Sequence, residues 1–87
     1  MPYTVTIERQ AAKFLRGLTD RRLHSRLRES IEALAESPRP PGCVKLQGPE
    51  ELYRVRVGDY RIVYQIQDAV LVVLVVEVGH RREIYRP

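Results

Sequence analysis

The spacing of hydrophobic residues changes along the chain and divides it into two parts. After a short alternating stretch at residues 3–7, apolar side chains recur every three or four positions as far as residue 34. From Val44 onward they alternate with polar side chains instead. A period near 3.6 is typical of an amphipathic helix, and a period of two is typical of a strand with one buried face. The pattern predicts a strand, then helices, then a sheet.

Two helices are expected in the first half of the chain. Residues 8–18 place apolar side chains at helical spacing and reach Gly17 near their end, which favours a helix that stops there. A second helix begins where Thr19 or Asp20 can cap it, and ends before Pro38 because proline disfavours helix at the preceding residue. Its apolar stripe consists of Leu23, Leu27, Ile31 and Leu34. The two helices form a hairpin.

Four strands are expected after a proline-rich connector. They lie at residues 44–46, 52–57, 60–67 and 70–78. Residues 58–59 and 67–68 are two-residue turns, the length that joins neighbouring antiparallel strands. The last strand is apolar on both faces and should lie inside the sheet. The chain is therefore predicted to be α+β, with an N-terminal strand, a helix hairpin and an antiparallel β-meander in a single compact domain over residues 1–87.

The turn at residues 58–59 predicts a cationic surface. With two residues in the turn, Arg56 lies directly opposite Arg61 on the next strand. Three arginines then share one side of the hairpin, which we call the arginine face: Arg54, Arg56 and Arg61. Like charges directly opposite each other cost up to about 1 kcal/mol, which favours a role in holding an anion. The alternative is that these side chains are solvated or pair with nearby acids: Glu50, Glu51 and Asp59.

The second hairpin is expected to bring the end of the chain to the arginine face. A turn at residues 67–68 pairs Tyr60 with Val75 and Arg61 with Leu74, so the chain leaves the sheet beside the first turn. The departing segment carries further basic and polar side chains: His80, Arg81, Arg82, Tyr85 and Arg86. Such a basin suits a backbone phosphate, and a tyrosine adds a stacking surface or a proton-transfer hydroxyl.

Composition agrees with an anionic partner. The net charge is +4, and 13 of the 15 basic residues are arginine because Lys13 and Lys45 are the only lysines. Guanidinium binds phosphate bidentately, although a compositional bias towards arginine is the alternative. Cys43 is the only cysteine, and it shows no metal-ligand spacing with His24 or His80, so no metal or cofactor is predicted. No leader or membrane span is recognisable, and a cytoplasmic location is expected.

Two motifs carry a family resemblance. Residues 52–65 read Leu-Tyr-Arg-Val-Arg-Val-Gly-Asp-Tyr-Arg-Ile-Val-Tyr-Gln, and residues 78–85 read Val-Gly-His-Arg-Arg-Glu-Ile-Tyr. Together with the predicted β-α-α-β-β-β-β order, they resemble the RelE branch of the RelE/ParE toxin superfamily over nearly the whole chain. The resemblance implies the toxin of a type II toxin-antitoxin system, a metal-independent endoribonuclease that cuts messenger RNA in the ribosomal A site. The alternatives are a ParE-like inhibitor of DNA gyrase and an inactive member that only binds its antitoxin.

The same resemblance implies roles for individual residues. Arg61 matches the family's strand arginine that stabilises the scissile phosphate, and Arg81 matches the arginine thought to assist the leaving group. Tyr85 matches the tyrosine proposed to stack on a base and help to activate the 2'-hydroxyl. Arg54 and Arg56 stand where the best-studied branch has lysines. Because arginine does not readily give up its proton, these two positions should bind phosphate and RNA only.

The remaining roles are expected at the chain end and on partner molecules. His80 is the candidate proton acceptor, since histidine ordinarily titrates nearest to neutral pH; the alternative is a histidine bonded to backbone. Arg82 is expected to bind substrate. The implied partners are a cognate antitoxin, the ribosome with its messenger RNA, and operator DNA only through the antitoxin complex.

Overall fold

Residues 2–80 are described by a computed structural model, in which two helices pack on one side of a five-stranded sheet. A short 3₁₀ turn, Asp68–Val70, precedes the last strand. The elements in chain order are β1 (Thr4–Ile7), α1 (Arg9–Arg16), α2 (Arg21–Ala33), β2 (Val44–Lys45), β3 (Leu52–Val57), β4 (Tyr60–Gln67) and β5 (Val72–His80). The predicted α+β class and element order are confirmed.

The helices form where the sequence pattern and its caps predict them. The Asp20 carboxylate accepts a hydrogen bond from the Leu23 amide at 3.1 Å, so Asp20 rather than Thr19 caps α2. Three residues of the predicted stripe are almost fully buried: Leu27, Ile31 and Leu34. α1 packs against β5, and α2 against β3. Both helices therefore cover the same face of the sheet.

The sheet is mixed, with strand order β1-β5-β4-β3-β2. The four C-terminal strands form the predicted antiparallel meander, and β5 lies inside the sheet as expected. Its other neighbour is β1, which runs parallel to it with Thr4 opposite Val72. This pairing joins residues almost seventy positions apart, and the local pattern of the sequence carries no signal for it.

The first hairpin has the predicted register. Val57 pairs with Tyr60, and Arg56 with Arg61, across the two-residue turn. Gly58 has φ of 61°, a left-handed conformation that glycine adopts without steric cost. A turn with positive φ matches the twist of the strands it joins. The turn residues themselves thus set this register.

The second hairpin differs from the prediction. The pairing of Tyr60 with Val75 is wrong, because Tyr60 lies opposite His80. The connection extends through the 3₁₀ turn to Leu71, whose φ is 55°, and pairing begins at Gln67 and Val72. Contacts from distant parts of the chain hold this longer loop: the Leu71 carbonyl accepts a bond from the Thr4 amide at 2.8 Å. The Asp68 carboxylate is bonded by Tyr3 and Arg39.

The core lies between the helices and one face of the sheet. From the sheet it receives the alternate residues of β3 and β4, including Tyr53, Ile62 and Tyr64. The opposite face bears the three arginines. In the part of the chain that the structure describes, no helix is long and apolar enough to cross a membrane.

Candidate active site

The arginine face occupies the end of the sheet beside the Gly58 turn. Arg54 and Arg56 alternate with Val55 and Val57 along β3, and the two valines point into the core. Arg61 emerges on the same side from β4, directly opposite Arg56. Arg56 is exposed, whereas Arg54 and Arg61 are half-buried. The predicted grouping of the three arginines on one face is confirmed.

Arg56 and Arg61 form a non-hydrogen-bonded cross-strand pair, the kind in which the two Cα atoms are closer together. The Ile66 amide donates to the Glu51 carbonyl at 3.1 Å, which makes these two residues a hydrogen-bonded pair. Hydrogen-bonded and non-hydrogen-bonded pairs alternate along an antiparallel ladder, so Arg56 and Arg61 belong to the second kind. In such pairs the Cα atoms are about 4.5 Å apart, and the two guanidinium groups start from neighbouring positions.

The acids proposed as partners for β3 do not pair with it. Glu51 bonds instead to Lys45 at 3.4 Å, and neither Arg54 nor Arg56 has an ion pair within residues 2–80. Arg56 donates from Nε to the carbonyl oxygen of Gly58 at 3.2 Å, a bond that leaves the charge of its guanidinium uncompensated. The arrangement concentrates positive charge where a phosphate could accept several donors.

Arg26 extends the positive charge around the turn. A Cβ placed on Gly58 would lie 3.6 Å from both terminal nitrogens of Arg26, which reaches the turn from α2. Sequence reasoning missed this contact. No pattern in the sequence could have found it, because it depends on how α2 packs across the sheet.

His80 does not lie on the arginine face. Residues directly opposite each other share a face, and His80 is opposite Tyr60, on the side covered by the helices. The two rings are 5.3 Å apart and nearly perpendicular, and Tyr60 in turn lies 6.2 Å from the Phe14 ring of α1. The prediction that His80 lies with the three arginines is therefore wrong, because the register of the sheet places it on the opposite face. The longer loop brings His80 into the sheet, and the extra residue in β5 turns it to the helix side.

The extra residue brings Glu77 to the arginine face instead. Val63 pairs with Glu77, but Tyr64 pairs with Val75, so Val76 is unmatched and forms a β-bulge. Sequence reasoning missed Glu77. The available signal was a single acid interrupting the apolar run from residue 69 to residue 78.

Three of the predicted site residues lie outside the described part of the chain: Arg81, Arg82 and Tyr85. Their predicted roles remain predictions. The described site therefore consists of the arginine face, Arg26 and Glu77.

A separate polar cluster lies at the opposite end of the sheet. Asp68 accepts bonds from Arg39 at 2.8 Å and from the Tyr3 hydroxyl at 2.5 Å, and these donors lower the pKa of its carboxyl group. The Arg39 guanidinium also lies 5.2 Å from the centre of the Tyr53 ring. We call Tyr3, Arg39 and Asp68 the clasp, since they join three segments that are distant in the sequence.

Comparison with known proteins identifies the family to which the chain belongs. The family described as the ParE toxin of type II toxin-antitoxin system, parDE, matches residues 5–85. The chain belongs to this toxin family. The toxin RelG of Mycobacterium tuberculosis is 31% identical over 86 residues, covering 99% of both chains. The mRNA interferase toxin RelE of Escherichia coli is 33% identical over 89 residues, covering 98% of this toxin and 92% of the relative.

Solved structures of relatives share the fold. The archaeal RelE-RelB complex from Pyrococcus horikoshii contains a chain that matches with a TM-score of 0.82 and 31% identity, covering 93% of this toxin and 97% of that chain. A chain of the intact Escherichia coli RelBE toxin-antitoxin complex matches with a TM-score of 0.76 and 31% identity, with coverage of 90% and 95%. The predicted resemblance to RelE toxins is confirmed.

Proposed function

We propose that this toxin is a ribosome-dependent endoribonuclease that cuts messenger RNA in the ribosomal A site. The observation that carries the proposal is the directly opposed pair Arg56 and Arg61, with Arg54 on the same face. Guanidinium groups are suited to bind a phosphodiester through several charge-assisted bonds. The similarity to the Escherichia coli mRNA interferase supports the same assignment.

The reaction is attack by the 2'-hydroxyl on the adjacent phosphate. The 2'-oxygen loses its proton and bonds to phosphorus, and the bond from phosphorus to the 5'-oxygen breaks. The products are a 2',3'-cyclic phosphate and a 5'-hydroxyl, which takes up a proton. Negative charge develops on the phosphate oxygens in the transition state, where Arg61 stabilises it electrostatically and Arg54 and Arg56 hold the RNA backbone.

The C-terminal residues complete this assignment through the family resemblance. Arg81 assists departure of the 5'-oxygen, Arg82 binds the substrate, and Tyr85 stacks on a base beside the scissile bond. His80 packs on Tyr60 on the other face of the sheet, and its role in proton transfer requires a separate test.

The partner that silences this toxin is a cognate antitoxin. RelE relatives form complexes with the antitoxin RelB in solved structures. Net charge of +4 favours an acidic partner that neutralises the arginine face. We assign operator DNA binding to the antitoxin complex and not to the toxin alone.

Primer extension on ribosome-bound messenger RNA tests the proposal. Purified toxin is added to ribosomes stalled with a defined codon in the A site, and the new 5'-ends are mapped beside an Arg61→Ala variant. We expect the wild type to cut within the A-site codon, and the variant to cut about 100- to 1000-fold more slowly, as for the loss of one group that stabilises transition-state charge.

Arg9→Ala is the matched control, because this substitution removes the same charge as Arg61→Ala. Arg9 is exposed on α1, on the other side of the sheet. Equal rates for wild type and Arg61→Ala would contradict the role of the arginine face. Intact messages together with inhibited DNA supercoiling would instead identify the protein as a ParE-like inhibitor of DNA gyrase.

A further inference from the structure

Glu77 places a carboxylate among the arginines. It lies opposite Val63 on β4, and Val63 in turn lies opposite Arg54 on β3, so the three side chains form one row across the arginine face. Arg61 precedes Val63 by two positions and is the diagonal neighbour of Glu77. Diagonal neighbours on a sheet are about 7–8 Å apart, a distance that long side chains can span.

The bulge at Val76 determines this position. Val73 and Val75 are fully buried, and strict alternation would turn Glu77 into the same core. The unmatched residue reverses the alternation, so Glu77 faces the arginines while Val78 returns to the core with only 4% of its surface exposed. Burying an unpaired carboxylate would be strongly unfavourable, and bulges commonly redirect side chains next to active sites.

Within residues 2–80, Glu77 is not held as a structural ion pair. Among these residues it has no salt-bridge partner and no side-chain hydrogen-bond partner, although it is half-buried on a cationic surface. A carboxylate that served only to offset charge would be expected within 4 Å of a guanidinium nitrogen. This carboxylate therefore retains its capacity to accept a bond from a substrate hydroxyl.

The other described groups on this face are poor proton acceptors. Arginine stays protonated at all relevant pH values, and His80 lies on the helix side of the sheet. Among the strand residues within 2–80, Glu77 is the one carboxylate on the arginine face. A general base must first lie within hydrogen-bond reach of the proton that it removes. The position of Glu77 beside the phosphate-binding arginines suits this requirement.

We infer that Glu77 is the general base of the cleavage reaction. A carboxylate oxygen of Glu77 takes the proton from the 2'-hydroxyl as the 2'-oxygen bonds to phosphorus. The electron pair of the breaking bond goes to the 5'-oxygen, which takes a proton from water, and the hydroxide ion formed takes the proton from Glu77 and restores its carboxylate. The inference rests on the proposed nuclease function and adds a catalytic residue to it.

Glu77→Gln tests the inference, since it keeps the side-chain shape and removes the proton acceptor. The single-turnover rate on ribosome-bound messenger RNA is measured from pH 5 to pH 9, with the affinity for the ribosome and the thermal unfolding temperature measured in parallel. We expect the cleavage rate of the variant to be about 100- to 10,000-fold lower, the usual scale of general base catalysis. Its affinity for the ribosome should be unchanged or tighter. Loss of the proton acceptor should also change how the cleavage rate depends on pH, relative to the wild type.

Two further variants separate catalysis from structure. Glu77→Ala should regain part of its rate when formate is added, because a free carboxylate can occupy the space and accept the proton. Glu50→Gln is the matched control: Glu50 is exposed, lies off the arginine face and should keep the wild-type rate and pH profile.

The outcomes separate the inference from the proposed function. If the Glu77→Gln variant cuts with the same rate and pH profile as the wild type, the inference is overturned and the proposed nuclease function stands. A slower variant that unfolds at a much lower temperature, with no rescue of Glu77→Ala by formate, would assign Glu77 to structure and also overturn it. A wild type that leaves ribosome-bound messages uncut would overturn both.

Discussion

Gly58 controls the cationic site through its backbone alone. Its φ of 61° allows a two-residue turn, and this turn sets Arg56 opposite Arg61. An L-amino acid with a side chain pays a steric cost in this conformation, because its Cβ crowds the following carbonyl oxygen. Gly17, which ends α1, has φ of −81° and carries no such requirement.

Alanine at the two glycines should therefore have opposite effects. Gly58→Ala is expected to lower the free energy of unfolding by about 1–2 kcal/mol, the cost of a left-handed residue. Gly17→Ala is expected to raise it by about 0.4–1 kcal/mol, because alanine restricts the unfolded chain and its Cβ meets carbonyl oxygens only at 3.6 Å. Urea unfolding of both variants checks the pair, and equal effects at the two sites would contradict the assignment of strain to Gly58.

At the scale of the element, α2 depends on an N-terminal cap for which the sequence offered two candidate residues. Thr19 and Asp20 both have side chains that can cap a helix, and the structure shows the bond from Leu23 going to Asp20. The buried stripe of α2 then packs on β3, and its exposed surface carries Arg26 to the Gly58 turn. Loss of the cap should loosen the first turn of the helix that positions Arg26.

Asp20→Ala is expected to lower the free energy of unfolding by about 1 kcal/mol, because the Leu23 amide loses its acceptor. Thr19→Ala should change it by less than about 0.5 kcal/mol, the usual range for surface substitutions. Chemical denaturation of the two variants distinguishes the caps. A larger loss in Thr19→Ala than in Asp20→Ala would show that the capping bond lies elsewhere.

The clasp acts at the scale of the whole molecule. Tyr3 precedes β1, Arg39 belongs to the proline-rich connector, and Asp68 begins the loop before β5. Their bonds hold that loop in its longer form, from which the register of β5 follows. The clasp lies at the end of the sheet away from the arginine face, yet it helps to determine which residues of β5 join that face.

The clasp should make stability depend on pH in the acidic range. The Arg39 and Tyr3 bonds lower the pKa of Asp68 in the folded protein, so the unfolded chain binds a proton more readily. The stabilisation is present above the ordinary aspartate pKa of about 4, and is lost as pH falls towards the lower folded value. The difference in urea midpoint between wild type and Asp68→Asn should therefore be largest near neutral pH and shrink below pH of about 4.

Asp59→Asn is the control for the clasp, because Asp59 is exposed at the other end of the sheet. Urea midpoints measured from pH 2.5 to pH 7 for the three proteins complete the test. A difference between wild type and Asp68→Asn that stays constant across this range would mean that the charge of Asp68 does not contribute.

The sequence by itself determined the two helices, the four meander strands and the arginine face. Each depends on local signals: the spacing of apolar residues, the cap before α2, and a turn of two residues that leaves the β3–β4 register no freedom. The motif at residues 52–65 lies on that hairpin, which is why Arg54, Arg56 and Arg61 could be placed correctly from the sequence.

Only the tertiary structure decided the partner of β1, the register of β5 and the faces taken by Glu77 and His80. These features depend on contacts between distant residues, chiefly the clasp and the bond from Thr4 to Leu71. The run from residue 69 to residue 76 is apolar throughout, so no alternation in it marks a register. A bulge of one residue in β5 was therefore enough to exchange the acid and the histidine between the two faces of the sheet.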